Sequence, residues 1–170
     1  MIKKCLFPAA GYGTRFLPAT KSMPKEMLPI VDRPAIQYVV DEALEAGIEH
    51  IVFVTGRNKN AIEDYFDAAY ELEDTLVKKN KTATLEMLRK QRLEAGSASF
   101  VRQQFPLGLG HAVWCGRAVA GDAPFAVLLP DVIIKAEKSC LRQMIEAYDE
   151  VGGNIIAVDA VPENEVSKYG

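Results

Sequence analysis

Short, solidly apolar runs alternate along this chain with longer runs in which apolar residues recur every third or fourth position. Residues 2–9, IKKCLFPA, read as a buried strand closed by Pro8 and the glycines beyond it. In PAIQYVVDEALEAG, Ile36, Val39, Val40, Ala43 and Leu44 share one helical face. Pro34 suits the first turn of that helix and Gly47 its end. HIVFVTG, residues 50–56, is a continuous β-branched and aromatic run, as in a strand covered on both faces. Residues 58–73 resume a helical period through Ile62, Tyr65, Phe66 and Ala69. From about 74 to 95, lysine and glutamate dominate and apolar residues come only at intervals, which predicts an exposed helical excursion. SASFVRQ predicts the next strand, GHAVWCGRAVA a helix and FAVLLP a strand. CLRQMIEAYDEVGG predicts a helix with Leu141, Met144, Ile145 and Tyr148 inward, and NIIAVDAV a last strand.

Apolar strands alternating with helices point to an α/β fold, a mostly parallel sheet with helices on both faces. Ligands of such sheets bind beyond the carboxyl ends of the strands. The stretches to inspect are therefore 11–25, 103–110 and Asp131, each just after a predicted strand. With 170 residues, 49% hydrophobic, residues 1–170 suit one domain with a real core and no second one. The net charge of -3 gives no electrostatic case for nucleic acid or a membrane surface as partner. No stretch approaches the roughly 20 apolar residues of a membrane helix, and the N-terminal apolar run is too short for a signal peptide, so a cytoplasmic protein is expected. Cys5, Cys115 and Cys140 lack CxxC spacing and read as small buried hydrophobes. The chain stops at EVSKYG with no closing helix, the ending expected of a truncated domain.

The stretch FPAAGYGTRFLPATKSMPKEMLPI carries the clearest chemistry. It is not a dinucleotide fingerprint, because Phe16 stands where GxGxxG needs its third glycine, and it has no GK[ST] of a Walker A loop. What remains is a long loop whose glycines let backbone approach a nucleotide, with Arg15, Lys21 and Lys25 as cations. Three cations so close suit a polyphosphate better than a single phosphate.

The run AAGYGTRFLPATKSMPKEMLPIVDRPAIQY, with RQQFPLGLGHAV and LLPDVII downstream in the same order, closely resembles the signature of the sugar-1-phosphate nucleotidyltransferases. The resemblance extends over essentially the whole chain and implies a Rossmann-like nucleotidyltransferase fold. It also implies that the chain is an N-terminal part lacking most of the sugar-binding portion. The implied reaction takes UTP and glucose 1-phosphate to UDP-glucose and pyrophosphate, supplying sugar nucleotide for envelope or capsular polysaccharide. Magnesium is the implied cofactor, and a homo-oligomer the expected assembly. A thymidylyltransferase of the same superfamily and a non-catalytic UTP-binding module stand as alternatives.

By the same resemblance, Arg15 and Lys25 are the catalytic cations on the triphosphate. Ala10, Gly11, Gly13 and Thr14 supply nucleotide contacts, and Glu26 lies near the base. Gln103 reads the uracil edge with Gly108 packed against it, Asp131 is a metal ligand, and Gly170 lines the sugar pocket. His111 is expected to begin a helix and not to act as a catalytic base, and Trp114 to sit in the core.

Overall fold

The computed structural model describes residues 1–168. Four strands, β1 (Lys4–Ala9), β4 (His50–Thr55), β5 (Ala98–Arg102) and β6 (Phe125–Val127), form a parallel sheet in the order β5-β4-β1-β6. The two-residue strands β2 (Pro29–Ile30) and β3 (Arg33–Pro34) pair antiparallel as a small separate hairpin. Between the strands run α1 (Ala35–Glu45), α2 (Asn60–Phe66), α3 (Tyr70–Lys78), α4 (Thr82–Gln91), α5 (Leu109–Cys115) and α6 (Arg117–Ala120), and α7 (Cys140–Val151) comes after β6.

The pleat sorts side chains between two cores. Cys5, Phe7 and Ala9 of β1, with Ile51 and Phe53 of β4, join the larger cluster that includes Ile36, Val39, Val40 and Ala43 of α1, Ile62 and Phe66 of α2, and Leu141 and Ile145 of α7. Leu6 and Val52 face the other way, onto Ala120 of α6 and Val113 of α5. That alternation follows from the two-residue side-chain period of a strand. The chain moves from β1 to β4 to β5 on one side, then crosses back to β6 on the other edge. The reversal at β1 makes the carboxyl ends of β1 and β6 a topological switch point, where the loops diverge and leave a crevice.

Pro8 explains why β6 is shorter than the predicted FAVLLP. The β1–β6 ladder pairs Lys4, Cys5 and Leu6 with Phe125, Ala126 and Val127, and its last bond runs from Leu128 N–H to the Leu6 carbonyl, 3.0 Å. Pro8 is the next β1 residue to face that edge, and it has no N–H to donate, so the strands part there. Residues 128–130 thus leave the sheet, and Leu129 lines the crevice.

Other expectations shift for equally local reasons. Residues 154–161 form no strand: Ile156 is 77% and Val158 88% exposed, and no neighbouring strand among the described residues takes up their hydrogen bonds. An apolar run gives a segment the capacity to pair, but a strand exists only where a partner satisfies its backbone. Leu44 is 43% exposed, while Ala35 and Gln37 are buried on α1 in its place. The helical period after Asn58 breaks between α2 and α3, leaving Ala69 outside either helix and exposed. Residues 70–91 fold as the helical pair α3 and α4, tied by Glu73 to Arg89 and Arg92, with Leu85 their buried residue. All three cysteines are free; burial pushes the Cys5 thiol well above its ordinary range.

Phe53 is fully buried among three rings, 5.0 Å from Phe66, 5.0 Å from Phe100 and 5.6 Å from Phe7. Phe53→Ala is expected to lower the unfolding free energy by about 3–5 kcal/mol, measured by urea titration. A loss below that of Phe100→Ala, at the edge of the same stack, would contradict this placement of the core.

Candidate functional site

Three strand ends feed one cavity of about 360 Å³, whose wall includes Ala10, Gly11, Arg15, Lys25, Gln103, Gly108 and Asp131. Two larger cavities, each about 550 Å³, have the wrong chemistry for a polyanion. Among the described residues, the one beside β6 offers Asp122 as its only charged wall residue, and the other, under α2, carries Glu63, Asp67 and Glu94 against Arg92.

β1 delivers Ala10 and Gly11 directly to the wall. A Cβ built on Gly11 meets nothing within 4 Å, so its backbone faces open space. The chain then turns back on itself through Gly13, at φ 66, a left-handed conformation that favours glycine. A side chain there would also press on Lys25 Cβ at 3.0 Å. The Thr20 hydroxyl donates to the Gly13 carbonyl at 2.7 Å and pins the returning strand of the loop. Gly13 and Thr14 are therefore not on the cavity wall; Gly13 instead allows Lys25 to pack beneath it. Arg15 lines the cavity with an exposed side chain, and Lys21, also exposed, stands outside it.

Lys25 and Glu26 are consecutive, so the turn Lys25–Met27 sends them in different directions. Lys25 Nζ reaches Asp131 Oδ2 at 2.5 Å on the cavity wall. Glu26 goes inward: it is 0% exposed and pairs with the buried Lys59, Nζ to Oε2 2.7 Å, while its Oε1 has no partner among the described residues. The Glu26 side chain is thus not among the residues that line the cavity. Lys59 had no signal in the sequence, being separated from Glu26 by 33 positions. Neither charge is tolerable there without the other.

Gln103 follows β5, with its N–H bonded to the Thr55 carbonyl at 2.8 Å and its side chain buried. Nε2 donates to the Gly108 carbonyl, 3.1 Å, and lies 3.0 Å from His111 Nδ1. Gly108 has φ 97, and a Cβ on it would also meet nothing within 4 Å. His111 lies within α5, as expected, but also touches the site. Trp114 is not core: it is 55% exposed, with Arg117 Cζ 3.5 Å from its ring centroid. Gly170 lies outside the described residues.

Among the described residues, Asp131 is the one acidic side chain on the cavity wall. Among the same residues no cluster of three or more His, Cys, Asp or Glu side chains is arranged to hold a metal. One hard carboxylate beside two phosphate-seeking cations fits magnesium completing its shell with phosphate oxygens and water, and does not fit an all-protein cage. Among the described residues, no helix is long and apolar enough to cross a membrane.

The sequence pattern of the nucleotidyl transferase family matches residues 6–170. The chain belongs to that family. Its relatives include a UTP–glucose-1-phosphate uridylyltransferase of Bacillus subtilis strain 168, 55% identical over 169 residues, 99% of this chain and 58% of the relative. A solved UDP-glucose pyrophosphorylase from Acinetobacter baumannii superposes with a TM-score of 0.94 at 52% identity, over 100% of this chain and 60% of that one. A UTP-bound UGPase from the same organism gives 0.85 at 54% identity, over 89% and 54%. This nucleotidyl transferase chain thus spans less than two thirds of the length of the relatives it matches.

Replacing Lys59 by Met leaves the Glu26 charge buried and uncompensated, which should cost about 3–5 kcal/mol of stability. Adding Glu26→Gln should recover a large part of that loss in the same urea titration. Equal stability of the single and double variants would show that the pair is not coupled.

Proposed function

We propose that this chain is the nucleotide-binding part of a UTP–glucose-1-phosphate uridylyltransferase, which forms UDP-glucose and pyrophosphate. The observation that carries this is the meeting of Arg15, Lys25, Gln103 and Asp131 on one cavity at the switch point of the sheet. Relatives of that name at 55% identity support it.

In this reading, an oxygen of glucose 1-phosphate attacks the α-phosphorus of UTP in line. The bond to the β-phosphate breaks, and pyrophosphate leaves with the electron pair. Catalysis then consists of positioning and charge stabilisation, without a protein nucleophile. Arg15 makes no ion pair with the described residues and is free to grip the β- and γ-oxygens with its fork. Lys25 exchanges its Asp131 partner for phosphate oxygen. Gly11 lets the backbone approach the nucleotide, and Gln103 meets the uracil edge. Asp131 would hold magnesium, which when bound neutralises phosphate charge. A reaction that consumes UTP places the protein in the cytoplasm, where nucleoside triphosphates are found.

Calorimetric titration of UTP with magnesium into the folded chain should show binding that EDTA abolishes. Arg15→Ala should weaken it about 10- to 100-fold, the scale of a charged hydrogen bond. Pyrophosphate release with glucose 1-phosphate separates an enzyme from a module that only binds UTP. No UTP binding by a folded sample would overturn the proposal.

A further inference from the structure

The Gln103 amide is a two-sided group, and its orientation decides what it can recognise. The Gly108 carbonyl can only accept a hydrogen bond, so the amide nitrogen must face it, at 3.1 Å. The second N–H then points at His111 Nδ1, 3.0 Å away, which must be the acceptor, with the ring proton on Nε2. Both amide hydrogens are thereby used within the protein. Oε1 is left with no protein donor among the described residues, and it is not one of the sealed-off oxygens, which are Glu26 Oε1, Gln37 Oε1 and Thr55 Oγ1. Gln103 therefore presents the cavity with an acceptor and nothing else.

The ring of His111 is itself held. It stacks on Trp114, centroids 5.8 Å apart and 21° between planes, and Arg117 caps the far ring at 3.5 Å. Cys115 Sγ lies 3.9 Å from both ring nitrogens, a weaker donor than the amide at 3.0 Å.

We infer that His111 is a positioning residue which locks the Gln103 amide with its oxygen toward the base and so selects uracil over cytosine. This rests on the uridine-nucleotide reading above. N3 of uracil carries a hydrogen that an acceptor can receive. N3 of cytosine is a lone pair that would face Oε1 with no proton between them, and a site built for one pattern rejects the other. Without an acceptor at the His111 position, the amide is held by the Gly108 carbonyl alone, and the flipped orientation that offers Nε2 to cytosine costs one hydrogen bond instead of two.

The test titrates UTP and CTP, each with magnesium, into wild type, His111→Leu and His111→Asn, with a thermal melt on every sample. Wild type should prefer UTP. In His111→Leu the UTP-to-CTP affinity ratio should fall about tenfold, partly through a gain for CTP, which general damage would not produce. His111→Asn, whose Oδ1 replaces Nδ1 as acceptor, should restore the ratio. An unchanged ratio in folded His111→Leu overturns the inference, as does failure of the Asn variant to restore it. Equal UTP and CTP affinity in wild type overturns it while leaving the nucleotide reading intact. A folded wild type that binds neither nucleotide defeats that reading and the inference with it.

Discussion

β1 hydrogen-bonds along both edges, to β4 and to β6, and is packed on both faces by helices, so six residues define the middle of the molecule. Because β1 is held on every side, it anchors the start of the 11–25 loop at a fixed point. Because Pro8 cannot donate toward β6, the ladder opens at that point and the crevice begins where the loop begins. A single missing N–H thus joins the sheet topology to the location of the cavity.

Charge is divided across the loop in the same economical way. Consecutive residues Lys25 and Glu26 face opposite sides of the turn, one to the cavity and Asp131, the other to Lys59 in the interior. The interior pair does not touch the cavity, yet it pins the turn from which Lys25 projects. Thr20 and the left-handed Gly13 hold the other end of the same loop. The loop is irregular in shape but fastened at several places, as a site of charge stabilisation requires, since its groups must not reorganise when charge develops.

The wall around Gln103 is organised differently, by neutral hydrogen bonds. Gly108 and His111 take both hydrogens of Gln103, and Trp114 and Arg117 stack behind the histidine. At one end of the cavity lie Arg15 and Lys25 on a fastened loop; at the other lies an amide whose two hydrogens are already used. In the function proposed above, affinity and selectivity fall to different ends of one cavity.

Much was legible in one dimension. The helical face of Ile36, Val39, Val40 and Ala43, the buried run of β4 and the glycine loop with Arg15 and Lys25 all follow from periodicity and local chemistry, which act over a few residues. The order of elements likewise determined a parallel sheet and pointed to its strand ends, where the cavity lies. The chain folded in space decided what depends on distant partners. Residues 154–161 have strand-like composition but no strand among the described residues to pair with, Glu26 turns inward because Lys59 awaits it, and Trp114 stays outside under Arg117. His111 shows the division most clearly, since its place in α5 was readable from the sequence. Its acceptor role was not, because a hydrogen bond is a relation between two side chains whose directions are set only when the strand end and the helix come together.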